Sequence, residues 1–427
     1  MQGKKLSVRL IRLITAFTIT LLAAGASAVA QEEMVLHSFH NNGKDGQGPN
    51  SPLVSDSAGN LYGTTPDGGA HNAGTVFEMS PEAGGAWTEK PLYSFDSTNG
   101  YVGPIPSGAL ALDTSGNLYG VTGQGGTGSC FDLSGNGCGT VFALSPMAGG
   151  FWAYSVLHYF NNNGGNDPGG GLIFDAHGNL YGAAAFGGDT NAGGTAFELS
   201  PAGGGKWTES VLHDFPEGTI PQGPLIFDAD GNLYGTSYDG GTSHLGTVFE
   251  LSPTGDGGWT QTVLHSFVQN GTDGFSPNGG LVFDANGNLY GTTVSGGGTT
   301  ANCPFVVSCG TVFELSPAGG GIWTETIIHP FSHTGADGSD PNDGLVIDSS
   351  GNLYGTTSLG GAYGGGTVFE LTPSSGSWAE TLLHSFGHVG DGKSPKAPLV
   401  FDTSGNLYGT TSEGGLDGLG TVFEITP

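Results

Sequence analysis

Carboxylates and imidazoles set in glycine-rich stretches are the residues of this chain best suited to do chemistry. Asp-Gly pairs occur at Asp45, Asp273, Asp337 and Asp391, and Asp340 adds a further acid beside the third. His40, His333 and His388 lie within a few residues of three of these acids. Carboxylates and backbone carbonyls gathered in such loops could hold Ca²⁺ or another hard cation, which takes roughly six to eight oxygen ligands. The same eight residues are the candidate ligand-binding set. Asp-Gly is also an ordinary turn dipeptide, and solvated histidines need no ligand, so both readings stand on sequence alone.

Other chemistries find less support. No Gly-x-Ser-x-Gly nucleophile turn is evident, and the glycine runs lack the lysine and helix of a phosphate loop. A carboxylate pair for glycoside chemistry remains open, because its separation cannot be read from sequence. Histidine recurs at His37, His158, His213, His265, His329 and His384, with Tyr93 in the remaining copy. Catalysis needs one asymmetric constellation, so a residue repeated in this way is read as packing. The repeated glutamates, tyrosines and six tryptophans are read in the same way. The recurring aspartates Asp56, Asp113, Asp175, Asp228, Asp284, Asp348 and Asp402 are read as turn residues. Asp228 to Asn232 resembles a calcium loop but lacks the glutamate that would complete it. No catalytic residue is assigned.

The elements that position these residues are repeats. GNLYG begins at Gly59, Gly116, Gly178, Gly231, Gly287, Gly351 and Gly405. GTVFE, with two single-residue variants, begins at Gly74, Gly139, Gly194, Gly246, Gly310, Gly366 and Gly420. LHSF or a variant ends at Phe39, Phe95, Phe160, Phe215, Phe267, Phe331 and Phe386. Three motifs in one order, seven times over, define a tandem repeat. Each unit divides into four short strands. In the fifth unit, strand a is Gly280–Asp284, an apolar run expected to be buried on both faces. Strand b is Leu289–Thr293, strand c is Thr311–Leu315 and strand d runs from Trp323 to Phe331.

Four antiparallel strands per unit make a propeller blade. The N-terminal copy supplies only a d strand, Val35–Phe39, and the C-terminal copy stops after its c strand. The two ends are therefore expected to complete one blade, which removes exposed sheet edges. The expected fold is an all-β, seven-bladed propeller forming a single domain over residues 31–427. Its b–c and d–a loops share one face, where variable loops on a rigid scaffold commonly bind ligands. On that face the four Asp-Gly loops fall in adjacent blades and form one acidic sector.

The chain has 427 residues, 83 of them glycine, and only 11% are charged. Residues 1–30 read as a secretory signal peptide: a basic start at Lys4, Lys5, Arg9 and Arg12, an apolar run, and small residues at Ala26-Ser27-Ala28 and Ala28-Val29-Ala30. Beyond it only five lysines face 38 acids, and arginine is absent. So acidic a chain repels nucleic acid. No later stretch is apolar enough to span a membrane. Cys130 with Cys138, and Cys303 with Cys309, are expected to form two local disulfides in an exported protein.

GNLYG, GTVFE followed by Leu-Ser-Pro, and LHSF together resemble the choice-of-anchor tandem-repeat proteins of the Gloeo/Verruco (GloVer) type, over about Leu36 to Pro427. The resemblance implies a secreted bacterial repeat protein and assigns no activity. The chain ends at Pro427 without an anchor segment, so release into the periplasm or medium is expected. The resulting expectation is a monomeric, extracellular, non-catalytic binding or scaffold propeller. Its ligand, a carbohydrate, a protein or a cell-surface polymer, would sit on the b–c and d–a loop face. The alternative is a secreted glycan-active hydrolase or lyase using acids of the d–a loops.

Overall fold

A computed structural model describes residues 32–96, 105–127, 130, 137–189, 193–298, 309–332 and 337–427. Residues 1–30, expected from sequence to be a signal peptide, lie outside these residues, as do His333 and Cys303. The described chain is all β, and it forms a seven-bladed propeller of small antiparallel sheets. The fifth blade shows the plan: Val282–Phe283 (a), Leu289–Thr293 (b), Thr311–Gly319 (c) and Ile322–Pro330 (d), paired in that order. In the last blade the d strand is Glu32–Ser38, from the other end of the chain. It lies beside Thr421–Thr426, and the Phe39 N–H donates to the Gly420 carbonyl at 3.0 Å.

Strand a departs from expectation. Only two residues pair, and both are half-buried. The burial expected of it falls instead on Leu281 just before it and on strands b and c. The reason is local. Phe283 reaches across to Tyr234 of the preceding blade, with ring centres 5.1 Å apart, and Asp284 at once begins a turn.

That turn explains the recurring aspartates. Asp284 Oδ1 accepts the N–H groups of Asn286 and Asn288 at 2.8 and 2.9 Å, and Oδ2 accepts the Asn288 amide and the Tyr290 hydroxyl. The tyrosine-to-aspartate bond recurs in all seven blades at 3.0–3.3 Å. Partial burial works against the charged carboxylate. The hydrogen bonds outweigh it and hold Asp56, Asp113, Asp175, Asp228, Asp284 and Asp402 below the ordinary aspartate range.

The core is divided into seven clusters, each made by two neighbouring blades. The phenylalanine of LHSF in one blade meets the phenylalanine of GTVFE in the next, with ring centres 4.9–5.4 Å apart, in every seam. Tilted or edge-on rings at this distance attract each other beyond their burial. The last glycine of GNLYG makes room for them. A Cβ on Gly291 would lie 2.6 Å from Phe313 Cζ and 2.9 Å from Leu281 Cδ2. Tryptophans are also seam residues: six of them pack on the GNLYG tyrosine of the neighbouring blade at 5.7–6.5 Å.

Two outcomes are expected. Phe313→Ala lowers unfolding free energy by about 3–5 kcal/mol and Gly291→Ala by about 1–3 kcal/mol, measured by denaturant titration. Asp56, Asp113, Asp175, Asp228, Asp284 and Asp402 have depressed native pKa values, so their contribution is complete above the unfolded value and is lost as pH falls through the native one. Melting temperature should therefore fall steeply below about pH 4. In Asp228→Asn that acid slope becomes shallower.

Candidate functional site

Each blade reaches the propeller axis through one segment, Pro-x-x-x-Leu, which begins at Pro49, Pro106, Pro168, Pro221, Pro277, Pro341 and Pro395. Its leucine is buried in every copy and anchors the segment in the seam. The residue after the proline faces a recess of about 460 Å³, giving the ring Asn50, Ser107, Gly169, Gln222, Asn278, Asn342 and Lys396. Gly108, Asp167, Gly170 and Asp343 also line it, as do Pro52 and Pro224, and no aromatic side chain does. All these residues belong to d–a segments, so the recess opens on the face expected to carry the site.

Neighbouring segments are tied together. Asn278 Nδ2 donates to the Asn342 carbonyl at 3.3 Å, and the hydroxyls of Thr236 and Thr292 donate to the carbonyls of Gly279 and Asp343 at 3.0 and 2.6 Å. The residue before the proline is left-handed in five copies, including the non-glycines Asp167, Ser276, Asp340 and Ser394 at φ 57–63°. Such backbone costs about 1–3 kcal/mol per residue and concentrates at functional sites. Asp343 is half-buried, and its remaining surface faces the recess. Desolvation there pushes its carboxyl well above the ordinary range, and one bond from the Gly344 N–H at 3.1 Å offsets only part of this. The recess thus presents amides, a hydroxyl, one ammonium and two carboxyl groups, with no nucleophile–base pair among the lining residues.

The acids singled out from sequence lie elsewhere. Three of the Asp-Gly segments zip onto the b–c loop of their own blade as two-residue ladders, such as Gly274–Phe275 with Ser295–Gly296, and the fourth, Gly392–Pro395, pairs with the extended b strand of the last blade. Gly274 sits on the Thr293–Thr311 pair, where a Cβ would fall 2.3 Å from the Thr293 hydroxyl, so the glycine is a packing requirement. The aspartate beside it turns into the seam and meets the LHSF histidine. Nε2 to carboxylate distances are 3.2 Å for His37–Asp45, 3.3 Å for His265–Asp273 and 3.1 Å for His384–Asp391, with His329–Asp337 wider at 3.8 Å. The four aspartates therefore lie one to each of four consecutive seams, each beside its own histidine rather than gathered at one point.

Of the remaining candidates, Asp340 bonds Ser358 Oγ at 2.6 Å and the Asn342 amide at 3.2 Å. His40 pairs with Asp417 at 3.0 Å, and the exposed His388 lies edge-on to Tyr363. Among the described residues, each of the four Asp-Gly aspartates stands with one histidine and one glutamate, a mixed nitrogen and oxygen set rather than the all-oxygen set Ca²⁺ favours.

The histidines pack, as expected, edge-on against their own phenylalanine at 4.6–4.9 Å. A β-bulge directly before the histidine shifts the c–d register in five blades and aims the imidazole into the seam. Sequence reasoning missed the third member of each cluster: Glu89 beside His37 and Asp45, Glu325 beside His265 and Asp273, Glu380 beside His329 and Asp337, and Glu33 beside His384 and Asp391. A usable signal was there, since Glu89, Glu325 and Glu380 each stand two residues after a tryptophan. Desolvation, then the neighbouring aspartate, pushes Glu89 up to about 8 and Glu33 and Glu325 up to about 7.

Cys130 and Cys138 are disulfide-bonded with Cα atoms 5.5 Å apart. Cys309 is also disulfide-bonded, while its expected partner lies outside the described residues. Among the described residues no helix is long and apolar enough to cross a membrane.

The sequence profile of the Gloeobacter/Verrucomicrobia repeat matches residues 25–151, 128–305 and 298–427. No curated protein matches the chain. Among solved structures, an α-L-arabinanase from Penicillium chrysogenum complexed with arabinobiose is 12% identical, with 92% of this chain and 97% of that one covered and a TM-score of 0.46. A protein of unknown function from Dyadobacter fermentans is 13% identical, with 92% and 98% covered and a TM-score of 0.45.

Proposed function

The chain belongs to the Gloeobacter/Verrucomicrobia repeat family, and from that premise we propose that it is a non-catalytic binding or scaffold propeller acting outside the cytoplasm. Its ligand would sit in the axial recess and on the d–a and b–c loops around the mouth. One observation carries the reading. In a repeat where proline, leucine, glycine and phenylalanine recur unchanged around the ring, the residue after the proline is Asn in three blades and Ser, Gly, Gln or Lys in the others, and it is the residue that faces the recess. Packing fixes the proline and the leucine of the segment and leaves the residues between them free to differ. Asn50, Gln222, Asn278 and Asn342 offer paired donors and acceptors, which suit the hydroxyls of a carbohydrate or polysaccharide. Export is supported by the signal-like residues 1–30 and by the disulfide of Cys130 and Cys138.

A secreted glycan-active hydrolase or lyase is the second reading, favoured by one feature: Asp343, its carboxyl raised by burial, shares the recess with Asp167. A protonated acid and a second carboxylate are what inverting glycoside hydrolysis needs. Asp273, Asp337 and Asp391 are poor candidates for that role, because they are occupied in the seams.

A glycan and peptide array probed with the protein lacking residues 1–30 separates the two. The binding reading expects retained, unconverted ligand, and about tenfold or more weaker binding in the Asn50→Ala, Gln222→Ala double variant at unchanged melting temperature. Binding that ignores these substitutions would count against the recess. Glycan turnover abolished by Asp343→Asn would replace this reading with the hydrolase.

A further inference from the structure

We infer that the four His–Asp–Glu clusters between blades are binding sites for a divalent transition-metal cation of the zinc class, one ion clasping each pair of neighbouring blades. The clusters are His37–Asp45–Glu89, His265–Asp273–Glu325, His329–Asp337–Glu380 and His384–Asp391–Glu33, and in each the candidate ligand atoms lie within 4.8 Å of one another. One imidazole nitrogen and two carboxylates form the mixed donor set that Zn²⁺ and its first-row neighbours accept, leaving open positions for water.

Two independent observations support an ion. The first is unmet polarity. Asp45 and Asp273 are 4% and 6% exposed, and each uses one carboxylate oxygen on its histidine and on a backbone N–H. Their other oxygens are buried without a partner, and so are Glu89 Oε1 and Glu325 Oε1 facing them. The imidazole serves the aspartate's first oxygen, so the second aspartate oxygen and the facing glutamate oxygen present only lone pairs to each other unless a proton or a cation is shared, and buried acceptors left unpaired are costly. The second is how the set changes around the ring. Among the described residues the three occur together in four seams, and the other seams dismantle the set in a consistent way. Where the aspartate is missing, His213 faces the neutral Gln261, or His158 forms a simple pair with Glu209 at 3.3 Å. Where the histidine is Tyr93, its neighbour is Tyr154, and the two rings stack at 4.3 Å. Residues that merely filled space would not have to change together.

The probe is Co²⁺, added to chelator-treated protein lacking residues 1–30 and followed by visible absorption, with Zn²⁺ as competitor and bound metal counted by elemental analysis. The expected result is saturation near four equivalents per chain, displacement by Zn²⁺ and a raised melting temperature. Asp273→Asn or Glu325→Gln lowers the count by one, and Asp340→Asn, outside the clusters, leaves it unchanged. Wild-type protein that binds less than one equivalent overturns the inference without any variant, and so does a count that Asp273→Asn and Glu325→Gln leave intact. A seam satisfied by a shared proton gives the first of these outcomes.

Discussion

A pair of phenylalanine rings crosses every gap between neighbouring blades, and it fits because the adjacent strand carries a glycine where any Cβ would collide. This contact fixes how far apart two sheets stand. Once the distance is set, the tryptophan of one blade reaches the tyrosine of the next, the bulged histidine enters the gap, and the leucine of the axial segment is held beneath. A blade alone exposes half of each contact, so no blade has a core of its own. Stability is shared among seven equivalent seams, and loss of one weakens the ring at a single joint.

The repeated motifs made the ring legible before any coordinates. GNLYG and GTVFE mark strands b and c, their seven copies count the blades, and the isolated strand ending at Phe39 identifies how the circle closes. Strand a was read as longer and drier than it is, because an apolar run such as Leu281-Val282-Phe283 looks the same whether its residues pair in a ladder or reach into a seam. The site was less legible, for a physical reason. Asp45 and Asp273 look alike as loop acids, yet their surroundings are set by a histidine of the preceding blade and by Glu89 and Glu325 on the far d strand of the blade they join, and nothing along the chain marks that adjacency. The axial ring was visible as Pro-x-x-x-Leu, but five residues with two fixed positions carry little signal beside a seven-fold pentapeptide.

The two polar regions differ in kind. Seam residues recur with few alternatives and are enclosed by protein, which suits holding blades together. Residues at the axis vary one by one on a frame of fixed proline and leucine, which suits recognition. The left-handed backbone at Asp167, Ser276, Asp340 and Ser394 belongs to the second region. Strain there is maintained by the seams around it, so the recognition surface draws its rigidity from contacts that do not touch a ligand.

The strand at Glu32–Ser38 lies in one sheet with Thr421–Thr426, so the earliest strand of the ring must wait for the latest. Six blades can assemble as they leave the ribosome, but the circle stays open until the strand at Thr421–Thr426 has been made. During that interval two unpaired edges are available to other chains, a hazard greatest in the crowded compartment where translation occurs. The entropic cost of joining such distant ends grows only logarithmically with length, so the delay burdens kinetics far more than equilibrium.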